Sequence, residues 1–349
     1  MKKSKTYIAT PPGATIKEQL IDRGMSQKEF AARMEMSEKH ISNLINGEVH
    51  LTADVAMRME MVLGLPASFW LNLEAIYREK LLKVDTENEM DADIKIAKDL
   101  PYNEMAKNGW VPDAQKVEDR VIYLRKFFEV VRLGLLEENL IPGIACRRQS
   151  VTEKADLALV AWAQKAKLEA RNIATAPIDL KTLTKSIPSI RAMTRMDPSL
   201  FCPKLTELLA SCGIALVFLP HIDGSFLHGA TFYDKNKIVI GLTVRGRDAD
   251  KFWFSLFHEI AHILLGHIGQ VGGTTDEDES AADRFAKDTL IPMMDWREFT
   301  ARRPFSRAAI NNFADHIGID AGIVVGRLQK DNYVNYSWYN DMKTKYEIV

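Results

Sequence analysis

Cysteine is scarce. The chain has three, Cys146, Cys202 and Cys212, an odd number, far apart and in no CxxC spacing, so neither a disulfide framework nor a thiolate zinc site is indicated. Long apolar runs are missing too. No stretch approaches the roughly eighteen uninterrupted apolar residues of a membrane span, and the basic N-terminus MKKSKTYIATPPG lacks the apolar segment of a secretory signal. These absences predict a cytoplasmic chain that is neither exported nor inserted into a membrane. An excess of one charge is also lacking: 46 Lys and Arg stand against 47 Asp and Glu, a formal net charge of −1. Bulk charge therefore does not mark a nucleic-acid binder, and any DNA role must rest on motif and geometry.

What is present is an ordinary folding composition, 46% hydrophobic and 27% charged. A length of 349 residues exceeds one compact core and predicts two or three domains. Residues 15–83 show helical patterning with polar breaks at 22–26, 35–37 and 46–52, the pattern of about five short helices, and define a first domain over 1–84. Residues 85–119 turn acidic and irregular, with DTENEMDAD followed by Pro101, Gly109 and Pro112, and read as a connector with some helical content. Apolar residues at helical spacing follow, including Val121, Leu124 and Phe128, then a helical run over 153–170. Residues 85–200 thus form an acidic connector and helical region.

The third region, 201–349, opens with a helix ended by Gly213 and an apolar run of strand type over 214–219. Two further runs, 227–233 and 237–242, are joined by the turn Asp234, Lys235, Asn236, predicting a small antiparallel sheet. Helices follow over 249–265, ended by Gly266, and 275–290, stopped by Pro292, with two more over 306–316 and 320–329. The fold class is mainly α, α+β overall.

In FSLFHEIAHILLGH, His258 and His262 lie four residues apart, so both imidazoles project from one face of one helix about a turn apart, as a tetrahedral zinc needs. Glu259 is placed to hydrogen-bond a zinc-bound water and take its proton. The neighbours Leu256, Phe257, Ile260, Ala261, Ile263, Leu264 and Leu265 make the helix apolar nearly all round. It is predicted to be buried, where ionisable groups are costly unless paired. A catalytic zinc needs a third protein ligand, and the next helix, DEDESAADRFAKDTLIP, offers Glu279, with Asp283 one turn on to orient a ligand histidine, His258 being the favoured one. Asp276, Glu277 and Asp278 read as a solvated first turn. His228 and His267 are candidates to donate a proton to an oxyanion or leaving amine, against a plain structural or surface role for each.

HEIAHILLGH followed by ESAADRFAKDTLIP resembles the ImmA/IrrE family of metallopeptidases, whose pattern is HExxH and then a helix with ExxA(N/D)xFA and a leucine-proline-like ending. The resemblance implies a zincin-like α+β domain holding Zn2+ through His258, His262 and Glu279, with Glu259 as general base of a gluzincin-like metalloendopeptidase.

Nearer the N-terminus, Ser26 caps a helix to Met34, and Ser37 starts a second over Glu38–Asn46 that Gly47 ends. Two short helices around a three-residue turn make a helix-turn-helix. Phe30, Ala31, Met34, Ile41 and Leu44 are spaced to bury against one another. The exposed side of the second helix carries Glu38, Lys39, His40, Ser42 and Asn43, with Glu38, Lys39 and Asn43 the best readers of base edges and Gln27 and Asn46 better placed for phosphates. Four basic residues between Arg23 and His50 are balanced by Glu29, Glu35, Glu38 and Glu48. One module would therefore bind weakly, and a homodimer on a two-part operator is implied. The arm carrying Lys2, Lys3 and Lys5 is expected to add phosphate contacts.

The stretch from MSQKEFAARMEMSEKHISNLINGEVHL to FWLNLEAIYRE resembles the XRE class of helix-turn-helix proteins, specifically HigA-type antidotes of addiction modules. The tail GIDAGIVVGRLQKDNYVNYSWYNDMKTKY is similar to the end of longer HigA-like proteins carrying an ImmA/IrrE domain. The resemblance implies a DNA-binding transcriptional regulator whose zinc domain cleaves a specific regulatory protein or senses a signal. Two rivals stand beside it. One is an antitoxin that represses its operon and neutralises a RelE-like toxin around a structural zinc site; the other is a peptidase that cuts a repressor and uses the helix-turn-helix for localisation.

Overall fold

The computed structural model describes residues 2–138, 153–222, 229–243, 248–270, 273–303 and 305–346. Cys146 and the proton-donor candidate His228 lie outside them. The chain forms two compact units, Met1–Lys95 and Ile96–Val349, and the division falls within the stretch expected to be a connector. Among the described residues no helix is long and apolar enough to cross a membrane.

Unit 1 begins with a two-stranded antiparallel ribbon, β1 (Lys2–Lys3) and β2 (Ile8–Ala9). The helices α1 (Gly13–Asp22), α2 (Gln27–Arg33), α3 (Glu38–Asn46) and α4 (Ala53–Leu63) follow. Their starts are set by side-chain caps that satisfy otherwise unpaired N–H groups: Ser26 Oγ accepts from the Glu29 amide and Ser37 Oγ from the His40 amide, both at 3.1 Å. The end of α3 is set by Gly47, whose φ of 76° suits a residue without a Cβ. Ile16, Phe30, Met34, Ile41, Met59 and Trp70 form the buried core.

The fifth helix departs from the expectation of a short element followed by an irregular acidic segment. Helix α5 runs unbroken over Ala67–Asp99. The physical reason is that DTENEMDADIKIAKD contains acid but no glycine or proline, and Glu, Met, Ala, Lys and Ile all tolerate a helix. The first real stop is Pro101, whose ring restricts Leu100 before it.

Unit 2 carries α6 (Tyr102–Lys107), α7 (Val117–Phe128), α8 (Glu153–Ala170), α9 (Leu180–Ala192) and α10 (Pro198–Ser211) before its sheet. The strands are β3 (Ile214–Phe218), β4 (Gly229–Asp234) and β5 (Lys237–Leu242), in the order β3-β5-β4. The expected hairpin is present, with Asp234 opposite Lys237 and Gly229 opposite Leu242, and Lys235 turns it at a φ of 57°. The sheet is nevertheless mixed, not antiparallel, because β3 pairs parallel with β5. Short, fully buried apolar runs look the same whichever way they point, and strand direction is decided by the connection between them.

The helices α11 (Ala249–Leu264), α12 (Asp276–Leu290), α13 (Met293–Ala301), α14 (Arg307–Ile317) and α15 (Ala321–Lys330) complete the unit. Helix α11 is its central element: Phe252, Trp253, Leu256, Phe257 and Ile260 are buried in one core with Ile238 and Ile240 of β5, Leu290 of α12 and Val324 of α15. Trp253 Nε1 donates to Tyr346 Oη at 3.0 Å, tying the C-terminal segment to this helix.

Ile41 is wholly buried where α3 packs in unit 1. Ile41→Ala is expected to lower the stability of that unit by about 2–5 kcal/mol through lost burial and a residual cavity. Denaturant unfolding of the full chain, followed by amide hydrogen exchange at α2 and α3, measures it.

Candidate metal centre and nucleic-acid interface

The ligand candidates come from two neighbouring helices. His258 and His262 stand one turn apart on α11, their Nε2 atoms 3.0 Å from each other. From α12, Glu279 brings Oε2 to 3.3 Å from His258 Nε2 and Oε1 to 3.5 Å from His262 Nε2. One donor atom from each of the three lies within 4.8 Å of the others, so these side chains can hold a metal ion.

Behind each imidazole is a second polar group. His258 Nδ1 is 2.9 Å from Asp283 Oδ1, the partner expected for that carboxylate. His262 Nδ1 is 3.1 Å from His267 Nδ1, and His267 Nε2 is 3.2 Å from Asp278 Oδ1. With Nδ1 engaged, each ring presents Nε2 to the common point, an arrangement that fixes ring orientation in metal sites. Thr274 Oγ1 likewise holds Glu279 Oε1 at 2.5 Å.

Of the two roles open to His267, its position fits the structural one: it is buried behind His262. Asp278, read as part of a solvated first turn, forms a reciprocal capping box with Thr275 and reaches His267. The spacing Thr275-x-x-Asp278 was the available signal for the cap; the contact with His267 had none.

Burial opposes charge on His258, yet the hydrogen bonds of Asp283 and Glu279 and the charge of Glu259 outweigh it and raise its pKa to about 10. Burial, reinforced by the charge of His258, pushes His262 down to about 4. Burial also works against ionising Glu279 and Asp283, but the hydrogen bond of each to His258 prevails and holds both below the usual carboxylate range. The cluster thus has a place for positive charge between two carboxylates, one that a proton fills on His258 and that a divalent cation would fill in its stead.

Glu259 points to the sheet. It is 4% exposed, and its Oε2 accepts from Thr231 Oγ1 of β4 at 2.6 Å. Burial raises its pKa to about 7, with His258 and the Thr231 hydrogen bond pulling the other way. Strand β4 approaches so closely that a Cβ on Gly229 would lie 2.8 Å from Glu259 Oε1. Thr231 and Gly229 were missed in the sequence; the only trace was a hydroxyl residue in the otherwise apolar start of GATFYD.

In unit 1, Gln27, Lys28, Glu38, Lys39 and Asn46 are exposed, and Ser42 and Asn43 half-buried. His40 departs from its expected role in base contact: its Nε2 is enclosed without a hydrogen-bond partner, so the ring packs against the protein. The Asn43 amide, in the orientation that satisfies its neighbours, donates to the Lys39 carbonyl at 3.3 Å and to Glu48 Oε2 at 3.2 Å. Reading a base with it would require breaking those contacts. Arg33 is paired with Glu29 at 2.6 Å, whereas Lys28 and Lys39 make no ion pair among the described residues.

The basic arm is also placed otherwise than expected. Lys5 pairs with Asp91 at 2.8 Å and Lys2 with Asp85 at 3.5 Å. Thr6 Oγ1 donates to Glu87 at 2.7 Å, as does Ser4 Oγ, and Asn88 Nδ2 donates to the Lys3 carbonyl at 3.3 Å. The acidic stretch of α5 therefore pairs two of the three lysines, Lys2 and Lys5, that phosphates were expected to attract.

Residues 16–70 match the helix-turn-helix family profile. Over 63 residues the chain is 36% identical to the uncharacterized HTH-type transcriptional regulator YddM of Escherichia coli (strain K12), covering 67% of that protein and 18% of this chain. The chain belongs to the helix-turn-helix family. It is also 36% identical over 77 residues to antitoxin HigA-1 of Vibrio cholerae serotype O1, 69% of that protein and 22% of this chain. To virulence-associated protein I of Dichelobacter nodosus it is 27% identical over 81 residues, 75% of that protein and 23% of this chain. Family and relatives point to a DNA-binding transcriptional regulator.

Lys39→Ala is expected to cost roughly 1–3 kcal/mol at particular base pairs, whereas Gln27→Ala should weaken all sequences alike. Footprinting of operator variants reads both, and equal losses on every sequence would mean that α3 does not read bases.

Proposed function

We propose that this chain is a regulator that binds operator DNA as a homodimer and carries, in unit 2, a zinc metallopeptidase of the ImmA/IrrE kind, which cleaves one regulatory protein when a signal opens the site. The observation that carries the enzymatic half is the convergence of His258, His262 and Glu279, with the buried carboxylate of Glu259 on the same helix. Two imidazole nitrogens and one carboxylate oxygen fit zinc, and three protein donors match a catalytic site, which keeps a fourth position open. A mixed sheet beside the HExxH helix, with the carboxylate ligand on the next helix, is consistent with a zincin-like domain.

Bound there, zinc supplies Lewis acidity toward a water molecule and a peptide carbonyl. The protein's own groups do the rest. Glu259 is the base that accepts the proton, and a pKa of about 7 suits that task near neutral pH. Thr231 fixes one oxygen of that carboxylate, while Asp283 and His267 fix the two rings. Joining this unit to a DNA-binding unit raises its concentration near operator-bound substrates. With Arg33, Lys2 and Lys5 in ion pairs, part of one module's positive charge is neutralised, which favours two modules on a two-part operator.

The identity to antitoxin HigA-1 favours a second reading, an antitoxin that represses its operon and neutralises a RelE-like toxin while its metal site is structural.

Purified protein is expected to hold about one zinc per chain. Elemental analysis should find it lost from His262→Ala and Glu279→Ala and kept in Glu259→Gln; unchanged zinc in both ligand variants would sink the ligand assignment.

In cells under stress, Glu259→Gln should abolish cleavage of the target protein while leaving operator binding intact. Mass spectrometry of the regulatory proteins and promoter output compare the strains. Identical results in both would favour the antitoxin reading.

A further inference from the structure

Unit 2 contains a cavity of about 630 Å³ bounded by the start of α11, the end of α12, α15 and residues 336–345. That volume lies within the range of roughly 300–1,000 Å³ typical of small-molecule sites. Its wall is cationic, and most of the cations are accounted for. Asp248 pairs with Lys251 at 3.0 Å and with Lys345, Asp250 Oδ2 with Lys343 at 2.9 Å, and Arg327 with Asp331 at 2.6 Å. Lys287 and Lys330 remain, two ammonium groups lining the same cavity with no ion pair among the described residues.

The second observation concerns Asp250, another residue of the lining. Asp250 has a side chain only 10% exposed, and while its Oδ2 accepts from Lys343, its Oδ1 is buried with no hydrogen-bond partner. A buried acceptor without a donor is unfavourable unless something supplies the donor. The space for this carboxylate depends on Gly326, where a Cβ would fall 2.0 Å from Asp250 Oδ2. At the rim stands Tyr336, an aromatic residue 61% exposed.

We propose that this cavity binds a small phosphorylated sugar, free or as part of a nucleotide, with the phosphate on Lys287 and Lys330 and a sugar hydroxyl donating to Asp250 Oδ1. Two unpaired ammonium groups attract a multiply charged anion, and the orphan acceptor demands a ligand with hydroxyl donors as well. Tyr336 offers a ring on which a base could stack. The site shares no residue with the candidate metal ligands, although the charges of Lys287 and Lys330 also act on Asp283, so its test reads ligand binding and not cleavage.

Titration calorimetry on the full-length protein tests it with ribose 5-phosphate, AMP and inorganic phosphate as probes. Ribose 5-phosphate should bind saturably, roughly tenfold or more tightly than inorganic phosphate, and Lys287→Met and Lys330→Met should each weaken it roughly tenfold. Lys330 is exposed, so its variant tests binding without endangering the fold. Asp250→Asn should erase the preference for ribose 5-phosphate over inorganic phosphate. Tighter binding of AMP, with the gain lost in Tyr336→Ser, identifies a nucleotide; equal binding of AMP and ribose 5-phosphate identifies the sugar phosphate alone. No saturable binding of any probe, binding unchanged in both lysine variants, or equal affinity for inorganic phosphate and ribose 5-phosphate overturns the proposal.

Discussion

Unit 2 depends on one constraint: His262 and Glu259 lie buried, and His258 largely so, on α11, a helix whose other buried residues are mostly apolar. Such groups are tolerated in a core only when each has a partner. Asp283 and Glu279 of α12 partner His258, His267 partners His262, and Thr231 of β4 partners Glu259. The elements that enclose α11 are therefore also the elements that satisfy its polar face. Packing and chemistry in this unit cannot be separated, since moving α12 to relieve a clash would strand His258 without its carboxylates.

Charge in unit 1 follows a different logic. There the ion pairs lie on the surface, where each contributes little to stability, and their effect is to decide which cations stay free for DNA. Glu29 takes Arg33 and Asp91 takes Lys5, while Lys28 and Lys39 stay exposed beside the two helices of the motif. The near-zero net charge of the chain is thus distributed, not featureless, and on the two helices of the motif Lys28 and Lys39 are left without an ion pair among the described residues.

The small elements were legible because their signals are local. Ser26, Ser37 and Gly47 mark the ends of α2 and α3 by capping chemistry that needs no distant partner, and the four-residue spacing of His258 and His262 puts two rings on one face in any helix. The turn at Asp234 to Asn236 and the strands beside it were readable for the same reason. The length of α5 is not legible in the same way, because an acidic stretch resembles a connector while lacking the glycine or proline that would break a helix.

The sequence by itself determined the helix-turn-helix, the placing of His258 and His262 on one face of α11, Glu279 on the following helix as the candidate third donor, and Asp283 as the group behind His258. Tertiary structure alone decided the rest: the parallel pairing of β3 with β5, the hydroxyl of Thr231 on Glu259, the placement of His267 behind His262, the enclosure of the His40 ring, and the acidic grip on the N-terminal arm. The physical reason is range. Helix caps, turns and one-turn spacings are set by residues a few positions apart, whereas these contacts join groups that packing and strand order bring together, and that periodicity along the chain does not encode.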